Sequence, residues 1–264
     1  MTSQLRKVAW YQARDMMRSR WVLTYGVFFA IVTEALLRFA GGDARAILSM
    51  TSIVLYLMPL VTVVFGTICL YHAREFIELL LAQPVRRDGV FGGLYLGLVT
   101  PLALALVSGI SVPLLWHGGV APGERPALAA LLGTGVALTA IFTAIAFCIA
   151  MRVEDRLKGV GVAIGIWMLG AILYDGLVLA VVAAFADYPL ERPMLALMLT
   201  NPIDLARIVV LLQLDVSALM GYTGAVFQQF LGGATGTLAA ATALIAWFTA
   251  PVLFGLRTFR RKDF

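Results

Sequence analysis

Long uncharged apolar runs alternate along this chain with short clusters of charge. Residues 46–71 carry no Asp, Glu, Lys or Arg, and neither do residues 91–116. A membrane-crossing helix needs about 20 predominantly apolar residues. Six stretches supply them, at about 21–40, 47–71, 91–116, 127–151, 159–185 and 234–256. Each is too long and too continuous for a barrel strand, which alternates every second residue over about 10 residues. The pattern predicts an all-α fold: one polytopic domain over residues 1–264 with six transmembrane helices.

The segments between and before these runs have patterns of their own. Leu5, Val8, Ala9, Ala13, Met16 and Met17 recur at three- and four-residue spacing, with Arg6, Lys7, Arg14, Asp15 and Arg18 on the other side. That predicts an interfacial elbow helix over residues 1–20 leading into the first span. In residues 72–90, Ala73, Phe76, Ile77, Leu80 and Leu81 share one side of a helix, and Arg74 and Glu78 are spaced to pair. Pro84 disfavours helix at Gln83, and the basic turn Arg86-Arg87-Asp88-Gly89 follows. The reading is a short amphipathic helix rigidly continuous with the second span. Its carboxylates, Glu75 and Glu78, suit a protein partner better than an anionic lipid surface.

The connection at 186–233 is the longest outside the spans. Asn201-Pro202 starts a turn, Asp204 sits where it favours a helix N-terminus, and Leu205, Ile208, Val209 and Leu212 continue at helical spacing. The apolar run is too short to cross and stops at Asp215, so an external helical cap is predicted.

Composition agrees with a membrane protein: 61% hydrophobic and 13% charged residues, against roughly 45–50% and about 25% in soluble domains. Charge then sets topology, because cytoplasmic segments near span ends are enriched in Lys and Arg. With the N-terminus inside, 15 of the 20 basic residues fall on inner segments; Arg38, Arg45, Arg125, Arg192 and Arg207 do not. Both termini are therefore expected in the cytoplasm, and the net charge of +5 reflects topology rather than nucleic-acid binding. The first 20 residues lack the apolar core of a cleavable signal peptide.

Catalytic signatures are missing: there is no GxxxxGK[ST], HExxH or GxSxG. Cys69 and Cys148 lie near inner span ends, where a disulfide is disfavoured, and no CxxC or paired histidine points to a metal. Glu34, Arg38 and Asp175 are charges inside spans, roughly 20 to 26 Å from the inner ends at 1.5 Å per residue. Glu34 and Arg38 are one turn apart and can pair; Asp175 lies at a depth Arg38 can reach. Two readings stay open, a polar outer vestibule for a solute or an ion pair that pins helices. Small-residue spacings at Gly93–Gly97, Gly161–Gly165 and Gly232–Gly236 allow close helix approach, and Pro59, Pro101 and Pro113 allow kinks.

The segment REFIELLLAQPVRR, directly after the second of six spans, resembles the signature region of ABC-2 type transporter permeases: an acidic residue, a leucine-rich run, a proline and a basic residue in that order. The elbow helix, the span count and the long connection before the last span resemble the same family. The resemblance implies a non-catalytic membrane subunit that works with a second copy of itself and a separate ABC ATP-binding subunit. ATP and magnesium would be held by that subunit, and this chain would bind no cofactor. It also implies that Glu75, Phe76, Ile77, Glu78, Leu80, Leu81, Pro84, Arg86 and Arg87 form a coupling helix and turn seated in the ATPase. With Asn201, Pro202, Asp204 and Arg207 of NPIDLAR, the chain is similar to the branch associated with nitrous oxide reductase maturation. That branch implies a bacterial inner membrane, a periplasmic partner protein, and a sulfur species or mechanical work rather than copper cargo. An intramembrane enzyme and a structural anchor for a periplasmic protein are the alternatives.

Overall fold

Backbone amides in hydrocarbon must be satisfied within the segment, which leaves helices as the form an apolar run takes in a membrane. The computed structural model describes residues 2–40, 42–82, 85–185, 197–214 and 234–262, and among these no strand occurs. The helices are α1 (Thr2–Met17), α2 (Arg20–Phe39), α3 (Asp43–His72), α4 (Arg74–Leu81), α5 (Arg87–Trp116) and α6 (Arg125–Arg152). A crossing made of α7 (Arg156–Met168), a π-helical turn (Leu169–Leu173) and α8 (Tyr174–Ala184) follows, then α9 (Pro202–Leu211) and α10 (Ala234–Arg261). Among the described residues, six helical stretches are long and apolar enough to cross a membrane, and they match the six predicted runs. Local chemistry starts several of them. The Asp155 carboxylate accepts from the Leu157 and Lys158 amides at the head of α7, and Pro126 occupies the first turn of α6.

The bundle is organised around α6, which packs against α3, α5, α9 and α10. Of its apolar window 72% is buried, against 6% for the α7–α8 crossing, which therefore forms the outer surface. Small and hydroxylated residues let α6 take the centre. Thr134, Thr139 and Thr143 each donate to a carbonyl one turn back, so their hydroxyls are satisfied without leaving the core.

Two close approaches seat α1 and α2 on α5. A Cβ added at Gly109 would lie 2.6 Å from the Gly26 carbonyl, so the two backbones touch. Pro113 has no amide to offer the Gly109 carbonyl, and the Thr33 hydroxyl of α2 stands 3.5 Å from it. On α1 the inward face runs through Ala9, Gln12, Ala13 and Met16, with Gln12 buried. Gln12 lies against Gly97, where a Cβ would come within 2.5 Å of it. Of the small-residue spacings, the one containing Gly97 is the only one among the described residues that seats a helix in this way. Cβ atoms at Gly161 and Gly165 would meet nothing within 4 Å, and Gly232 lies outside the described residues.

Candidate functional site

One end of the bundle carries α4. A single residue, Ala73, separates it from α3, and the hydrogen bonding runs through: the Ala73 amide donates to Cys69 and the Ile77 amide to Ala73. Ile77 is fully buried, Leu80 and Leu81 are half-buried, and Phe76 stacks on Tyr11 of α1 with ring centroids 6.1 Å apart. Glu75, Glu78 and Leu79 face outward, and Leu79 is 69% exposed. The Arg74 Nε lies 3.6 Å from Glu78 Oε1, the pairing their spacing predicts. The helix stops at Leu81; Gln83 and Pro84 lie outside the described residues.

Basic residues gather at the same end and fasten the helix termini together. Arg87 Nη1 donates to the carbonyls of Arg260 and Lys262, each at 2.8 Å, and so satisfies acceptors that the end of α10 leaves free. Arg260 in turn binds Asp88 through two hydrogen bonds. Lys262 Nζ donates to the Met151 carbonyl of α6, and the Tyr71 hydroxyl to the Val153 carbonyl just beyond it, both at 2.8 Å. Arg86 caps the start of α5 without a side-chain bond.

A second polar constellation lies toward the other end. Asn201 caps α9, its side-chain oxygen accepting from the Ile203 amide at 3.0 Å, with Pro202 in the first turn. The Asn201 amide group donates to Asp204 Oδ2 at 3.0 Å and to the Gly170 carbonyl, inside the π-helical turn, at 2.8 Å. Arg207 stands between two carboxylates, 3.5 Å from Asp175 Oδ2 and 3.5 Å from Asp204 Oδ1. Tyr56 of α3 closes the set: its hydroxyl accepts from Arg207 at 2.6 Å and donates to Asp175 at 3.0 Å. Burial pushes the Asp204 carboxyl up, the Asp175 charge adds to the rise, and Arg207 and Asn201 oppose it. The Tyr174 hydroxyl bonds the Leu197 carbonyl and Thr200, and Trp247 of α10 donates to the Leu199 carbonyl, so the segment entering α9 is held on both sides.

One expectation changes here. Glu34 and Arg38 pair as predicted, with Arg38 Nε 2.6 Å from Glu34 Oε1, but Arg38 is not the partner of Asp175. The α7–α8 crossing packs on α3 whereas α2 packs mainly on α5, and depth along an axis does not specify which neighbour a side chain faces. Most of the expected external cap lies outside the described residues. Its described helix, α9, has no exposed residue among its 10, and it lies against α3, α6 and α10. Leu205, Ala206, Ile208 and Val210 supply apolar contact on several sides.

Tyr56, Leu79, Asp88 and Arg260 go unpredicted. Tyr56 is the one weak signal, a hydroxyl in an otherwise aliphatic stretch; no spacing links Asp88 to Arg260. Among the described residues no group of three His, Cys, Asp or Glu side chains could hold a metal ion.

These features define a multi-pass helical membrane protein with an amphipathic spur at one end and an ionic cluster toward the other. The profile of the ABC-2 family transporter proteins matches residues 38–264. The chain belongs to that family and is a membrane permease component of an ABC transporter. It is similar to the probable ABC transporter permease protein NosY of Pseudomonas aeruginosa, 27% identical over 234 residues that cover 81% of this chain and 85% of that protein. The protein of the same name from Stutzerimonas stutzeri is 25% identical over 280 aligned positions, covering 98% of this chain and 99% of its own.

Proposed function

We propose that this permease is driven by a separate ABC ATP-binding subunit that docks on α4, and that two copies act together in a bacterial inner membrane. The observation that carries the reading is the division of α4: Ile77 anchors it to the bundle while Glu75, Glu78 and Leu79 are presented outward. A helix held on one side and offered on the other is suited to receive a push. ATP binding would draw the two ATPases together and move α4, and α3 carries the displacement as a rod. From His72 to Tyr56 is 16 residues, about 24 Å of helix, so the far end of that rod holds Asp175 and Arg207. Movement at α4 thus biases the packing of α9 against α3 and the π-helical turn, a two-state element of the kind a ligand can shift.

The NPIDLAR likeness and the similarity to the two NosY proteins support a role in nitrous oxide reductase maturation, through export of a sulfur species or conformational work on a periplasmic partner. Docking is tested by co-purifying the permease with its ATPase after Glu75→Lys and Glu78→Lys. Loss of the ATPase, or loss of permease-stimulated hydrolysis, is the expected result. Wild-type capture and hydrolysis in both variants would refute the reading.

A further inference from the structure

The Glu34–Arg38 pair plays no part in the coupling route, yet it stands at the head of a groove. Beyond the Gly26–Gly109 contact, on the side away from α4, a groove of about 500 Å³ opens between α2 and α5. Val27, Ile31 and Val112 line its inner length, and Glu34, Arg38 and Trp116 line its outer end. From Val27 to Arg38 is 11 residues, about 16 Å of helix, close to the depth of one hydrocarbon leaflet, about 15 Å. Its polarity therefore runs from apolar to ionic over one leaflet.

The ionic end is prepared for an anion. Glu34 holds Arg38 by Nε, and His117 Nδ1 stands 3.5 Å from the other Glu34 oxygen. Arg38 Nη1 and Nη2 make no hydrogen bond among the described residues, and its side chain is 66% exposed. Trp116, 86% exposed, lies at the same level, where an amphipathic ring suits the boundary between chains and headgroups.

We propose that this groove binds one phospholipid from the leaflet farther from α4, its phosphate on the Arg38 terminal nitrogens and one acyl chain along Val27, Ile31 and Val112. The occupant must offer an anion at the depth of Arg38 and apolar surface for one leaflet inward. A lipid has that order of groups, whereas a membrane-spanning partner helix presents apolar surface well past the point where the groove closes. Planar guanidinium recognition of phosphate supplies the directional part of binding.

The full chain, purified with its ATPase and placed in vesicles containing phosphatidylglycerol with a photoreactive acyl chain, gives the test. Wild type should label within residues 27–38 and 112–116 and retain one phospholipid per chain by native mass spectrometry. Arg38→Gln should lower both about ten-fold, the loss of a charge-assisted hydrogen bond. Ile31→Trp, which fills the apolar groove and leaves the ion pair intact, should do the same. Labelling and retention unchanged in both variants would overturn the proposal. So would a disulfide-linked dimer formed in membranes by Ile31→Cys, which would put a second copy in the groove.

Discussion

Arg260 grips Asp88 with two parallel hydrogen bonds, Nε to Oδ1 at 2.5 Å and Nη2 to Oδ2 at 2.9 Å, joining the last turn of α10 to the first turn of α5. Both side chains are about half exposed, so solvent screens the pair and it adds little to stability. Its value is positional: with Arg87 on the α10 carbonyls, it ties the turn after α4 to the last span. Asp88→Arg is expected to leave the folded permease intact and lower ATPase stimulation in proteoliposomes. Combining it with Arg260→Asp should restore stimulation, and a single variant with wild-type stimulation would remove this role.

Within α4, neighbouring residues should separate folding from docking. Ile77→Ala removes a fully buried side chain and is expected to cost about 2–5 kcal/mol, seen as a lower melting temperature of the permease alone. Leu79→Asp alters an exposed position and should melt like wild type while losing ATPase capture. Equal melting temperatures for the two would show that α4 is not anchored through Ile77.

The cluster at the end away from α4 holds two carboxylates and one guanidinium. Arg207→Ala leaves both carboxylates without their cation; a fully buried case costs about 3–5 kcal/mol, and partial exposure here reduces the expectation to about 2 kcal/mol. Asp204→Asn leaves one carboxylate per guanidinium and should melt within error of wild type or higher. Thermal unfolding of the two variants decides, and identical behaviour would sink the charge count.

The same cluster has a pH signature. Burial raises the folded-state Asp204 carboxyl above its unfolded value, so the folded state holds that proton more tightly. The stability this gives is full below about pH 3.9 and is lost as pH rises through the raised folded value. Wild type should therefore lose melting temperature across that window faster than Asp204→Asn; parallel pH profiles would remove Asp204 as the source.

Glycines should sort by contact rather than by motif. Gly109→Ala places a Cβ against the Gly26 carbonyl and is expected to cost about 1–3 kcal/mol by overpacking. Gly161→Ala meets open space and should be neutral or stabilising by up to about 1 kcal/mol through helix propensity. Melting of the two purified variants checks the order.

Features that depend on neighbours along the chain are legible in the sequence. Arg38 pairs with Glu34 and Arg74 with Glu78 because four-residue spacing places them on one face. Asn201-Pro202 opens α9 where the turn is expected, and the Asn201 side chain adds a cap by reaching an amide two residues on. Features that depend on which helix stands beside which are not legible there. Depth along the span matches Asp175 to Arg38, yet its cation is Arg207, and Tyr56 completes the site from α3. Gln12, the least apolar residue of its face, is the one buried deepest there because Gly97 leaves room for it.

The six crossings and the position of α4 were already present in the order of residues, because the cost of leaving apolar or charged groups in the wrong medium is summed along a segment, and helical periodicity is local. The partner of Asp175, the burial of α9 and the bond between Asp88 and Arg260 came into being only with packing. Each depends on how helices are rotated and ranked against one another, and that arrangement is chosen by close contacts such as Gly26 on Gly109, between residues far apart in the chain.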